Sequence, residues 1–168
     1  KKFEATVKCC TQNGVRGGSA TVHFPIWHQE IEDIIVLKNN KGTEDNRVRK
    51  LDYSIQLSKL FYERFINDED ITLFSPHEVP ELYEAWGTPE FDEIYQTAER
   101  KTSVSKKKVS AQTLFFDMLK ERAETGRIYI MNIDHCNTHS SFKDRVTMSN
   151  LCQEITLPTD PIQHIDGE

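Results

Sequence analysis

The sequence predicts an α/β fold in which short strands alternate with helices and pair largely in parallel. Three observations carry this. Compact β-type runs recur at Thr21-Val22-His23-Phe24, Tyr53–Leu57, Ile71-Thr72-Leu73-Phe74 and Ile128-Tyr129-Ile130-Met131. Amphipathic stretches with helical spacing separate them, most clearly over residues 109–124. With 168 residues, 37% of them hydrophobic, the chain is long enough for one ordinary domain with a core.

Taken in order, residues 3–10 carry no strong period and read as the end of a helix. Thr11–Ser19 is glycine-rich and flexible. The strand at 21–24 is stopped by Pro25. Residues 28–37 place Ile31, Ile34, Ile35 and Leu37 on one helical face, closed by Lys38-Asn39-Asn40-Lys41-Gly42. The strand 53–57 leads into a short helix over 58–66, and the strand 71–74 ends at Ser75-Pro76. Residues 78–100 read as helix interrupted near Gly87 and Pro89, and Lys106-Lys107-Lys108 as a solvated loop. The helix over 109–124 shows Leu114, Phe115, Met118 and Leu119 on one face and Gly126 as its stop. After the strand 128–131 comes a loop over Asp134–Lys143, and residues 150–157 read as extended again.

A net charge of −6 argues against a nucleic-acid surface, whose footprint is basic. No run reaches the roughly 20 apolar residues of a membrane helix, and no signal-peptide pattern opens the chain. Cys9, Cys10, Cys136 and Cys152 are too irregularly spaced for a disulfide scaffold, which points to a reducing, cytoplasmic setting with Cys152 as a free thiol. Cys9-Cys10 reads as two reduced thiols, at least one of them packed. The two ends read as those of a piece of a larger protein.

Ser149-Asn150-Leu151-Cys152-Gln153-Glu154-Ile155 is the segment richest in chemistry. In an extended run the side chains at 150, 152 and 154 point the same way, so an amide, a thiol and a carboxylate converge. On that ground alone Cys152 reads as a small buried hydrophobe. No G-x-S-x-G or protease-type cysteine signature accompanies it. Asn, Cys and Glu together suit a reaction in which sulfur takes a hydrogen atom and the carboxylate handles a proton. In the loop 12–19, backbone N–H groups freed by glycine and the Arg16 fork suit an anion or nucleotide, but no P-loop or dinucleotide pattern is present. His135, Cys136 and His139 offer three metal donors without a fourth, so a hydrogen-bonded turn with Asp134 and Asn137 capping backbone groups is the better reading.

Six motifs occur in order: Cys10-Thr11-Gln12-Asn13-Gly14-Val15-Arg16-Gly17-Gly18, Val36-Leu37-Lys38-Asn39-Asn40, Asp70-Ile71-Thr72-Leu73-Phe74-Ser75-Pro76, Gly126-Arg127-Ile128-Tyr129-Ile130, Asp134-His135-Cys136-Asn137-Thr138-His139 and Ser149-Asn150-Leu151-Cys152. Together they resemble the catalytic large (α) subunit of class I ribonucleotide reductase of the bacterial or viral type. The resemblance runs over nearly the whole chain and covers a central portion of that longer subunit. It implies that residues 1–168 are a single fragment of a ten-stranded α/β barrel, with a specificity loop at 10–19 and a finger loop at 149–155. Within the finger loop it implies that Cys152 becomes the thiyl radical that takes the 3′ hydrogen of a ribonucleotide. Glu154 is then the base for the 3′-hydroxyl proton and Asn150 a substrate-binding amide, with Leu151 and Gln153 lining the substrate. In the relay loop, which includes Cys10, Gly14 and Gly17, Gln12 and Arg16 carry the identity of an allosteric nucleotide to the substrate base. Asn13 and Gln153 depart from the family, which commonly has glycine and an apolar residue there.

The resemblance also implies partners: a ribonucleoside diphosphate, nucleoside triphosphate effectors, a second large subunit, and a metal-containing small subunit that supplies the radical. Thioredoxin or glutaredoxin would restore the thiols. No metal or other cofactor is expected in this chain, and no nucleic acid or membrane. The redox cysteine pair falls outside the chain, so the isolated segment is expected to be inactive and, with barrel edges uncovered, prone to aggregate. A second reading is a non-catalytic nucleotide-binding or assembly fragment of a split reductase.

Overall fold

The computed structural model describes residues 1–160, the Gln12 side chain apart. The first elements are α1 (Lys2–Cys9), β1 (Thr11–Gln12), β2 (Arg16–Gly17), β3 (Thr21–Pro25) and α2 (Ile31–Ile35). After a 3-10 turn at Glu44–Asn46 come β4 (Asp52–Leu57), α3 (Lys59–Ile66) and β5 (Asp70–Phe74). The remainder is α4 (Pro80–Glu84), α5 (Phe91–Arg100), β6 (Lys106–Ser110), α6 (Ala111–Thr125), β7 (Ile128–Asn132) and α7 (Ile133–Thr138).

The α/β class stands, with parallel strands separated by helices. The main sheet has the order β3-β4-β7, parallel throughout, with His23 beside Ser54 and Ser54 beside Tyr129. It is an open sheet: among the described residues nothing closes it into a barrel. Pairing is less uniformly parallel than predicted. β1–β2 is an antiparallel hairpin, and β5 pairs antiparallel with β6, so Lys106-Lys107-Lys108 lies in a strand rather than a loop. Lysines suit that place because an exposed edge strand is protected from further pairing by charge. β5 also joins the segment after β3, where the Phe74 N–H donates to the Trp27 carbonyl at 2.9 Å.

Alternation along the strands gives the main sheet two unlike faces. One carries Tyr53, Ile55, Leu57 and Ile128, all buried in the core. Beyond that apolar layer, α6 packs on α3, α2 and β7. Its period holds as predicted, with Ala111, Leu114 and Met118 buried. Ser110 caps its first turn by accepting the Thr113 N–H at 3.2 Å, and Gly126 ends it in the left-handed conformation (φ 67°). Each fully buried aliphatic side chain here contributes about 1.5–3 kcal/mol. The helix predicted over 28–37 is confined to Ile31–Ile35, and α7 replaces the first part of the predicted loop after β7.

The other face of the sheet is polar: Thr21 and His23 on β3, Ser54 and Gln56 on β4, Tyr129 on β7. A fully buried aromatic cluster around Trp27, Phe74, Phe91 and Tyr95 adjoins it, with the Trp86 and Phe91 rings 4.6 Å apart. The two regions meet where the Trp86 indole N–H donates to Gln56 Oε1 at 2.8 Å. A polar sheet face beside a packed aromatic core leaves those hydroxyls, amides and imidazole free to hold something other than a helix.

Candidate active site

That face holds the 149–155 segment. From β3, the Thr21 hydroxyl donates to the Leu151 carbonyl at 2.6 Å and His23 Nε2 to the Ser149 carbonyl at 3.1 Å. From β4, Gln56 Nε2 donates to the Thr147 carbonyl at 2.7 Å, and the Ser54 hydroxyl to Gln153 Oε1 at 2.5 Å. Gln153 Nε2 reaches the Ile130 carbonyl of β7 at 2.6 Å. The segment therefore spans all three strands, held by the backbone carbonyls of Ser149 and Leu151 and by the Gln153 carboxamide.

Its conformation differs from the extended run predicted. Residues 150–153 form a turn in which the Gln153 N–H donates to the Asn150 carbonyl at 3.2 Å. Gln153 has φ +64°, so side chains do not simply alternate through 150, 152 and 154. Cys152 and Glu154 are nonetheless both exposed, and Asn150 is half-buried with its Oδ1 held by the Ile155 N–H at 3.0 Å. Gln153, predicted to line substrate, instead turns its carboxamide into the sheet, because both of its polar atoms find partners there.

The glycine-rich loop lies close by. Asn13 (φ 51°) and Gly14 (φ 72°) make the hairpin turn between β1 and β2. Asparagine tolerates this left-handed geometry better than most residues, which suits it to the place where glycine is common. A cavity of about 680 Å³ has Cys10, Thr11, Arg16, Gly17 and Ser19 on one side and Leu151 on the other. Two motifs more than a hundred residues apart in sequence thus share one concavity. The Gln12 side chain lies outside the described structure, although its backbone is part of β1. Gly18 admits no side chain, since a Cβ would strike the Val7 and Cys10 carbonyl oxygens.

Tyr129 is a residue that the sequence reading passed over as part of an apolar strand. Its hydroxyl pKa lies above the usual tyrosine value, raised by partial burial and by the neighbouring Cys152 and Asp52 side chains. The register of β7 on β4 was the signal, because it aligns Tyr129 with Ser54 on the polar face. His23, also unremarked, is held below the ordinary imidazole range by burial, which outweighs its bond to the Ser149 carbonyl. Its Nδ1 is buried with no hydrogen-bond partner among the described residues.

His135, Cys136 and His139 line a separate cavity of about 490 Å³ behind Gln153. Among the described residues no group of three or more His, Cys, Asp or Glu side chains is placed to hold a metal ion. Asp134 and Asn137 both bind backbone: Asp134 Oδ2 accepts the Lys59 N–H at 2.6 Å, and Asn137 pairs with both the N–H and C=O of Val146. Cys9 and Cys10 are both exposed, contrary to the expectation that one is packed, because α1 buries no residue fully.

The fold and site define an α/β domain whose parallel sheet carries, on its polar face, a turn with an exposed thiol beside a glycine-rich hairpin. Residues 1–165 match the family model of the ribonucleotide reductase barrel domain, and the chain belongs to that family. It is 54% identical over 173 residues to the ribonucleoside-diphosphate reductase subunit alpha of Haemophilus influenzae, covering all of this chain and 23% of that protein. It is 53% identical to the ribonucleoside-diphosphate reductase 1 subunit alpha of Escherichia coli K12, over 96% of this chain and 22% of that protein. The corresponding subunit of Enterobacteria phage T4 is 45% identical over the whole chain and 23% of its own length. The chain thus spans under a quarter of these relatives.

Proposed function

We propose that this chain is the thiol-bearing portion of the catalytic domain of a ribonucleoside-diphosphate reductase large subunit. The observation that carries the reading is the turn around Cys152, stapled to three parallel strands with its thiol exposed, while its neighbour Leu151 lines the cavity shared with the 10–19 loop. A radical passed from a separate metal-containing small subunit would reside on the Cys152 sulfur. That sulfur takes the 3′ hydrogen of the ribonucleotide and Glu154 accepts the 3′-hydroxyl proton. The 2′-hydroxyl departs as water with a proton from the cysteines outside this chain, which also supply the two reducing equivalents, and Cys152 finally returns the hydrogen to the 3′ carbon. Asn150 hydrogen-bonds the substrate through its amide, and Leu151 contributes to the wall of the substrate site. Gln12 and Arg16, within the relay loop that Cys10, Gly14 and Gly17 shape, contact the substrate base, so that a bound nucleoside triphosphate selects the substrate. A second large subunit completes the assembly. Reducing equivalents come from cysteines outside this chain, renewed by thioredoxin or glutaredoxin.

The test is deoxycytidine diphosphate formation by the intact subunit carrying this segment, mixed with its small subunit. Cys152→Ser is expected to abolish turnover while substrate binding persists, and retained turnover in that variant removes the role given to the thiol. The open edges of β3 and β7 favour one further reading, an assembly fragment that docks with complementary chain to complete a barrel. Co-purification with the flanking segments distinguishes it, since failure to associate counts against docking.

A further inference from the structure

We propose that Gln153 is a positioning residue for the Cys152 thiol, acting through a carboxamide that clips the cysteine-bearing turn to β4 and β7. The inference rests on the reductase reading for what Cys152 does. The clip itself rests on geometry alone.

Gln153 stands in the left-handed backbone region at φ +64°. A side-chain-bearing residue is strained there, and the conformation persists only where surrounding contacts enforce it. The enforcing contacts point in two directions from one planar group. Oε1 accepts the Ser54 hydroxyl at 2.5 Å, and Nε2 donates to the Ile130 carbonyl at 2.6 Å. Ser54 is fully buried, and Gln153 is its side chain's hydrogen-bond partner. Two bonds to adjacent strands fix both the position of the amide and its rotation, which one bond would not do.

The clip sits beside the reacting atom. Ser54 pairs in register with Tyr129, and Ile130 follows Tyr129 on β7. Cys152 immediately precedes Gln153 in the turn, and its thiol is exposed. Anchoring residue 153 to both neighbours of Tyr129 therefore fixes the turn, and with it the preceding Cys152, against the β4–β7 seam. The other attachments of the turn, Thr21 to Leu151 and His23 to Ser149, hold backbone carbonyls on its β3 side only. Among the described residues, Gln153 is the one side chain of 149–155 that hydrogen-bonds a strand. With Oε1 and Nε2 both engaged by protein, its amide is committed to the sheet rather than to a ligand.

The experiment uses the intact subunit with its small subunit, comparing wild type, Gln153→Leu, Ser54→Ala, the double variant, Gln153→Glu and Cys152→Ser. For Gln153→Leu, kcat for deoxycytidine diphosphate is expected to fall about ten- to a hundredfold, the scale of a reacting group displaced by an ångström. KM is expected to stay within about twofold, as for a residue that does not bind substrate. Hydrogen exchange across 149–155 is expected to quicken in the same variant. The double variant should lose no more than Gln153→Leu alone, because both changes remove one interaction. Gln153→Glu keeps the acceptor for Ser54 but sets a carboxylate against the Ile130 carbonyl. Its turnover relative to wild type should therefore recover as acid protonates that carboxyl and restores a donor. Wild-type kcat and unchanged exchange in Gln153→Leu overturn the proposal, as does a raised KM at constant kcat, which marks a substrate contact. Turnover in Cys152→Ser, or none in wild type, defeats the reductase reading instead, and the exchange comparison still decides the clip.

Discussion

The side-chain oxygen of Asn150 accepts the backbone N–H of Ile155 at 3.0 Å, closing a ring of chain around Cys152. The Ser149 hydroxyl closes the same ring a second time by donating to the Ile155 carbonyl at 2.5 Å. With Oδ1 so occupied, the amide NH₂ is oriented away and makes no hydrogen bond among the described residues. Asn150→Asp keeps the acceptor that closes the ring but removes the donor. Stability is expected to change by less than about 0.5 kcal/mol. Turnover is expected to fall about a hundredfold, the usual cost of losing a donor aimed at reacting substrate. Steady-state kinetics and a urea melt on the intact subunit check both, and full turnover in Asn150→Asp removes the donor role.

His23 supplies a pH dependence. A carbonyl accepts only from N–H, so the bond to Ser149 fixes the proton on Nε2 and leaves the buried Nδ1 unprotonated and unpaired. Burial holds the folded-state pKa below the ordinary 6.5. The unfolded chain therefore binds the proton first on acidification. The stability that His23 contributes is complete above 6.5 and is lost as pH falls through the lower folded value. Exchange at 149–151 is expected to accelerate in that window in wild type. A His23→Gln variant, which retains a donor without titrating, should show a flatter profile over the same range.

Regular periods made much of this fold legible. The strands at 53–57 and 128–131 and the helix over 109–124 each emerge within two residues of their observed bounds. Tertiary devices did not show in the same way. Three consecutive lysines give no apolar alternation, yet pairing with β5 makes them a strand. Residues 150–153 contain neither Gly nor Pro, so nothing local announces a turn. Its positive φ lies on Gln153 and is enforced by Ser54 and Ile130, remote in sequence. The thiol, amide and carboxylate were legible by type and spacing, whereas Tyr129 and His23 entered only through strand register.

The Arg64–Glu99 pair is expected to support the fold without touching the site. Arg64 Nη1 and Nη2 meet the two Glu99 oxygens at 2.7 and 2.5 Å, and the Thr72 hydroxyl adds a third bond at 2.6 Å. Burial alone would raise the Glu99 pKa, but the bonds from Arg64 and Thr72 outweigh it and hold it below the usual value. Its stabilisation is therefore present above the unfolded carboxylate value of 4.5 and lost as pH falls through the folded one. Glu99→Gln leaves Arg64 without its counter-charge and is expected to cost about 3 kcal/mol at neutral pH. Denaturant melts should show that difference shrinking as pH falls below 4.5 and through the lowered folded value, where the wild-type carboxyl becomes protonated too. A difference that does not shrink would place the stabilisation in packing.

Gly87 packs against Asn137, the side chain that anchors the chain leading into the cysteine-bearing turn. It has φ +81°, and a Cβ there would lie 2.7 Å from Ile133 Cγ1 and 2.8 Å from Asn137 Nδ2. Asn137 holds Val146, donating to its carbonyl at 3.0 Å and accepting its N–H at 2.8 Å. Val146 is fully buried and precedes Thr147, whose carbonyl Gln56 fixes to the sheet. Gly87→Ala thus combines backbone strain with a clash against the residue that anchors the incoming chain. It is expected to cost about 2–4 kcal/mol. Asn137→Ala frees the same anchor without strain at 87, and should quicken exchange at 146–149 while leaving the helix α5 amides protected. If Gly87→Ala destabilises the fold yet leaves exchange at 146–149 unchanged, the clash is absorbed at Ile133 and Asn137 does not transmit it.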